Sequence, residues 1–62
     1  MKSAFNTGDL VEIIVDIRLF NLNIDAGAVG FIKEKHPDNI YTIFLSTGRE
    51  EKFLKHYLRA KK

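Results

Sequence analysis

The sequence predicts one small, mainly β domain. Three observations carry that expectation. Residues 10–15 and 40–45 are runs dense in β-branched and aromatic side chains. Clusters of Gly, Pro, Asp and Asn separate the apolar runs, as turns require. The chain has 62 residues, enough for a single core and no more.

The elements follow in order. Residues 1–7 form a lead-in. Thr7-Gly8-Asp9 marks a turn that opens the first strand, in which Val11, Ile13 and Val15 share one face. Leu10, Glu12, Ile14 and Asp16 share the other, which is mixed in character. Residues 17–26 show no clear period, and they are expected to form a long loop that tucks Leu19, Leu22 or Ile24 onto the core. Gly27-Ala28-Val29-Gly30 follows, with two glycines three apart. That spacing predicts a sharp bend or a close approach to another strand. A second strand runs through 31–36, and Pro37-Asp38-Asn39 makes a hairpin turn with Asn39 able to take a positive φ. Residues 40–45 are the clearest strand. Tyr41, Ile43 and Leu45 face one way, and Ile40, Thr42 and Phe44 the other. Thr47-Gly48 closes a further turn.

Two conformations compete for 49–60. Phe53, Leu54, Tyr57 and Leu58 make a helical stripe, Thr47 and Glu50 match a capping box, and the segment runs from acidic to basic. The competing conformation is a strand through 51–54, one 3-10 turn at 55–57 and a short strand at 58–60.

The order of these signals carries a resemblance. Gly8-Asp9-Leu10-Val11-Glu12-Ile13, Gly27-Ala28-Val29-Gly30-Phe31-Ile32, Tyr41-Thr42-Ile43-Phe44-Leu45 and Phe53 through Arg59 stand in the order found in one broad group. On these residues the chain resembles SH3-like barrels of the KOW and electron-transport-accessory type, over nearly its whole length. That group includes a small accessory protein of photosystem I, the variable chain of ferredoxin–thioredoxin reductase, the nitrile hydratase β-subunit barrel, plasmid-type dihydrofolate reductase and ribosomal KOW proteins. Short bacterial proteins of unknown function share the spacing. The resemblance implies a five-stranded SH3-like barrel with a 3-10 turn near the C-terminus. It favours the strand pair over the alternative, an antiparallel sheet with a C-terminal helix over 49–60, because the last strands cover open edges. Two departures limit what carries over. The reductases use a Val-Gln-Ile-Tyr stretch where this chain has Glu51-Lys52-Phe53-Leu54, so a reductase is not expected. KOW proteins usually have a basic first half, whereas this one is acidic.

Composition narrows the function. With no Cys, disulfides and thiolate metal sites are excluded, and a reducing cytoplasm is expected. No apolar run is long enough for a membrane helix, and no secretory h-region is visible. His36 and His56 are isolated, so no metal site is expected. Ser3 and Ser46 lack a nucleophile-elbow context, and the glycine pair matches neither the P-loop nor the dinucleotide fingerprint. The chain is therefore expected to be non-enzymatic, with no cofactor and no small-molecule substrate.

Two surfaces remain as candidates. If Val11, Ile13, Val15, Val29, Ile32, Tyr41, Ile43, Leu45, Leu54 and Leu58 fill the core, then Ile14, Phe31, Ile40 and Phe44 point outward and Phe20 sits in the long loop. Ile14, Phe20, Phe31 and Phe44 are the predicted partner-binding residues, for a protein or a second copy of the chain. The bland account is that the loop or the N-terminal residues, Phe5 included, fold over them. The second surface is basic. Residues 1–31 carry Lys2 and Arg18 against Asp9, Glu12, Asp16 and Asp25, a net of −2, whereas residues 32–62 are net +4. Lys52, Lys55, Arg59, Lys61 and Lys62, with Phe53 and Tyr57 interleaved, form the alternative nucleic-acid site. A solvated tail is the plain account of that charge, and core packing the plain account of those two rings.

Overall fold

The second glycine of the pair explains how the sheet is assembled. In the computed structural model, which describes residues 5–61, Gly30 is buried in strand β4 (Val29–His36). It pairs with Val11 of β1 (Leu10–Ile13) on one side and with Leu45 of β5 (Ile40–Leu45) on the other. A Cβ on Gly30 would stand 2.5 Å from the Phe44 carbonyl oxygen and 2.9 Å from Ile43 Cγ2. The strands lie closer there than any side chain permits. The spacing of the two glycines foretold that approach. Gly27 does the other job, holding φ at +99° where its N–H donates to the Ile13 carbonyl at 2.7 Å.

Around β4 the sheet runs β6-β5-β4-β1-β7, all antiparallel, with β6 at Glu50–Leu54 and β7 at Leu58–Ala60. A 3-10 turn at Lys55–Tyr57 joins β6 to β7. Residues 49–60 are therefore not the C-terminal helix of the alternative reading, and no α-helix forms among the described residues. The stripe and the capping box are present in the sequence, but pairing outcompetes them. Residues 50–54 complete the ladder along β5, and the Glu50 carboxylate takes Lys33 Nζ rather than a backbone N–H. The sheet is not closed into the expected cylinder: β6 and β7 remain its two edges and do not pair with each other.

The expected long loop is also corrected. Residues 17–24 form a second sheet, the hairpin of β2 (Ile17–Leu19) and β3 (Leu22–Ile24), turning at Phe20 and Asn21. Its short alternation of Ile17, Leu19, Leu22 and Ile24 is too brief to stand out from a loop in one sequence. Ile24 enters the core, Leu22 packs at its margin and Leu19 stays exposed.

The core holds Val11, Ile13, Ile24, Ile32, Tyr41, Ile43, Leu45, Phe53 and Leu58. Phe5 adds an edge-on contact to the Tyr41 ring at 5.7 Å. Three expectations shift. Val15 and Val29 are only half-buried. Leu54 is 38% exposed, and Phe53, at 4%, takes its place. The β5–β6 register sets Phe53 opposite Tyr41 and Leu54 opposite Ile40. Directly opposed residues share a face, so Phe53 follows Tyr41 inward. The turn decides that register: Leu45 N–H donates to the Arg49 carbonyl across Ser46-Thr47-Gly48, with Gly48 at φ +94°.

A bulge in β4 between Ile32 and Glu34 resets the alternation. Beyond it Glu34 pairs with Thr42 and His36 with Ile40. His36 Nε2 thereby reaches the buried Thr42 hydroxyl at 2.7 Å and satisfies it.

Two substitutions test this account. Gly30→Ala should destabilise the domain by about 2 kcal/mol or more, because strand backbone cannot yield to the new methyl cheaply. Phe53→Ala should cost about 3–5 kcal/mol, whereas Leu54→Ala should cost about 1 kcal/mol or less. Urea unfolding followed by circular dichroism reads all three, and equal losses at 53 and 54 would refute the assigned register.

Candidate functional site

Strand pairing builds the outer surface. Leu10 of β1 lies opposite Phe31 of β4, and Phe31 lies opposite Phe44 of β5. All three point away from the core. They form one row across three neighbouring strands, a span of about 10 Å at the usual interstrand spacing. Leu10 is 54% exposed, Phe31 40% and Phe44 37%. The two rings pack with centroids 5.5 Å apart and planes inclined by 42°, a tilted contact that holds both in place.

The row ends in charge on both sides. Next to Phe44 stands Glu50 of β6, whose carboxylate receives Lys33 Nζ at 3.1 and 3.2 Å. Next to Leu10 the chain continues from β7 into Lys61, whose N–H donates to the Leu10 carbonyl at 3.0 Å. An apolar centre with a polar rim is the anatomy of a protein-binding patch.

The structure brings together only part of the predicted set. Phe31 and Phe44 meet. Ile14 lies past the end of β1, four residues from Leu10 and therefore about 13 Å along the strand. Its N–H donates to the Tyr57 carbonyl at 3.0 Å, and its side chain is exposed away from the row. Phe20 stands at the tip of the β2–β3 hairpin, fully exposed at 105%, in contact with neither phenylalanine. Leu10 is the residue that sequence reasoning passed over. Alternation had placed it on the mixed face, but only the register reveals Phe31 beside it. Among the described residues neither the hairpin nor Phe5 covers the row, since Phe5 packs against Tyr41 instead, and residues 1–4 lie outside the described residues.

The basic alternative fares differently residue by residue. Phe53 is buried in the core and Tyr57 is half-buried against the His56 ring, so neither offers an open stacking face. Arg59 is engaged by Glu12 at 3.3 Å. Lys55 Nζ lies 6.0 Å from the centre of the Phe5 ring. Lys52 and Lys61 are exposed, without a carboxylate partner among the described residues. Lys62 lies outside the described residues. The remaining ion pairs, Arg18–Asp25 at 2.6 Å and Arg49–Glu51 at 2.5 Å, are solvent-facing and contribute little to stability.

Among the described residues, no group of three or more His, Asp or Glu converges as metal ligands would, and no helix is long and apolar enough to cross a membrane. Set against known proteins, the chain matches no family model, no curated protein and no solved structure.

Proposed function

We propose that this chain is a non-enzymatic, cytoplasmic accessory module, built as a small SH3-like barrel, that holds a protein partner on the row Leu10–Phe31–Phe44. The row itself carries the reading: three large apolar side chains are contiguous and uncovered on a domain with few residues to spare. Covering the exposed remainder of one phenylalanine contributes about 2 kcal/mol to binding. Two such rings therefore contribute about 4 kcal/mol before the cost of association, and the polar rim supplies the remaining contacts.

The barrel reading draws support from the strand order. An opening strand, a glycine-marked central strand, the hairpin that follows it and a 3-10 turn before the last short strand are what the resemblance implies. The nucleic-acid reading has weaker support. It keeps Lys52, Lys55, Arg59 and Lys61 as cations but has lost both aromatic platforms.

The test is affinity capture from the native host with a nuclease-treated arm. The wild-type chain is expected to retain a protein partner after nuclease treatment, and Phe44→Asp to lose it while circular dichroism stays unchanged. Phe31→Ser serves as a second variant should Phe44→Asp unfold. Each truncation should weaken binding about tenfold or more. Retention of the partner by both folded variants would sink the proposal. Loss of the partner on nuclease treatment alone would transfer the function to nucleic acid.

A further inference from the structure

The apolar row runs on into charge at both ends, and its order has a direction. Strand pairing sets Glu50 of β6 opposite Phe44, Phe44 opposite Phe31 and Phe31 opposite Leu10. β7 pairs with β1 through Ala60 and Val11, so the same register brings Lys61 level with Leu10. Directly opposed residues share a face. The outer surface therefore carries one line, Glu50–Phe44–Phe31–Leu10–Lys61, about 19 Å long at the usual interstrand spacing. Phe31 is its midpoint. One end is a carboxylate and the other an ammonium.

That line is complementary to its own reverse. Consider a second copy laid face to face, related by a two-fold axis that runs nearly along β4. Phe31 then meets Phe31 of the second copy, Phe44 meets its Leu10, and Glu50 meets its Lys61. An isologous interface needs each off-axis contact twice, and the line supplies both. The other face-to-face two-fold runs along the line itself. It sets Glu50 on Glu50 and Lys61 on Lys61, and like charges oppose it. Facing sheets cross by about 30°, so contact is closest on the axis, where Phe31 sits.

The surroundings are compatible with that arrangement. Val29, half-buried on β4, pairs with Glu12 and meets its own copy on the axis. Glu12 is engaged by Arg59 at 3.3 Å. Lys33 is also on β4, but its Nζ is drawn toward Glu50 at 3.1 Å. The Glu50 side chain is still 45% exposed, so it has room for a second cation. In the next row Glu34 and Lys52 stand on either side of Thr42 and offset each other. Lys61 has no carboxylate partner among the described residues. Size adds a motive: 62 residues without a Cys leave association as one of the few remaining means of stabilisation.

We propose that the protein held on this row is a second copy of the chain, in a two-fold dimer whose axis runs along β4. The proposal rests on the reading of the row as a protein-binding surface and names its occupant. The apolar part is one row deep, so the dimer belongs with small, transient interfaces.

Sedimentation equilibrium and amide NMR of the full chain, from about 10 μM to about 1 mM, test it. The average mass is expected to climb from one chain toward two, with concentration-dependent shifts centred on Leu10, Phe31 and Phe44. Phe31→Ser should abolish the rise. Glu50→Lys and Lys61→Glu should each weaken self-association roughly fivefold or more. An equimolar mixture of those two variants should associate about as well as the wild type, because each supplies the charge that the other has lost. Three results would overturn the proposal: a chain still monomeric at about 1 mM, a dimer that Phe31→Ser leaves intact, or a mixture of the charge variants no stronger than either alone. The broader reading fails separately. A monomeric chain that captures a different protein through Phe44 keeps the row as a binding surface and rejects only the second copy.

Discussion

The approach of β4 to β5 at Gly30 is the constraint on which the rest of the structure depends. β4 is the central strand, and Gly30, like Phe31 beside it, pairs with both β1 and β5. With no side chain there, the Phe44 and Leu45 backbone can settle against it. That contact sets the register of both pairings at once. It places Ile32 against Ile43 inside and Phe31 against Phe44 outside. The same glycine therefore closes the core and creates the outer aromatic pair. A bulkier residue would disturb the packing of the domain and the geometry of its surface together.

Size gives that surface its meaning. A domain this short buries only about 60% of the surface of its unfolded chain, so every apolar side chain left outside is a stabilising contact not made. The described chain invests Val11, Ile13, Ile32 and Ile43 fully in the core, yet leaves two phenylalanines and a leucine side by side on the opposite face. Lys33–Glu50 at one end and Lys61 at the other confine that patch to a narrow stripe.

Much of the architecture was legible in the residues. The strands at 10–13, 31–36 and 40–45 follow from β-branched and aromatic runs bounded by turn residues. The positive φ of Asn39 follows from Pro37-Asp38-Asn39, although Asp38 shares it at 64°. The close approach at Gly30 follows from the glycine spacing. What escaped was whatever depends on register. The exchange of Leu54 for Phe53 needs the position of Arg49 across from Leu45, and the neighbourhood of Leu10 needs the pairing of β1 with β4. The bulge at Lys33 carries no residue signature of its own, yet it decides which side chains His36 meets.

The order of residues was thus sufficient for the fold class, for the alternation along each strand and for the outward direction of Phe31 and Phe44. Those features rest on interactions within a few residues: backbone sterics, β propensity and turn chemistry. Local signals left 49–60 open and the resemblance favoured two strands around a 3-10 turn, which the folded chain adopts, while only the folded chain decided that 17–24 would project as a hairpin and that Phe20 and Ile14 would stand apart from the aromatic pair. Those outcomes rest on contacts between residues far apart in the chain. The hydrogen bonds along β5 outweigh a local helical preference, and no window of neighbouring residues contains that competition.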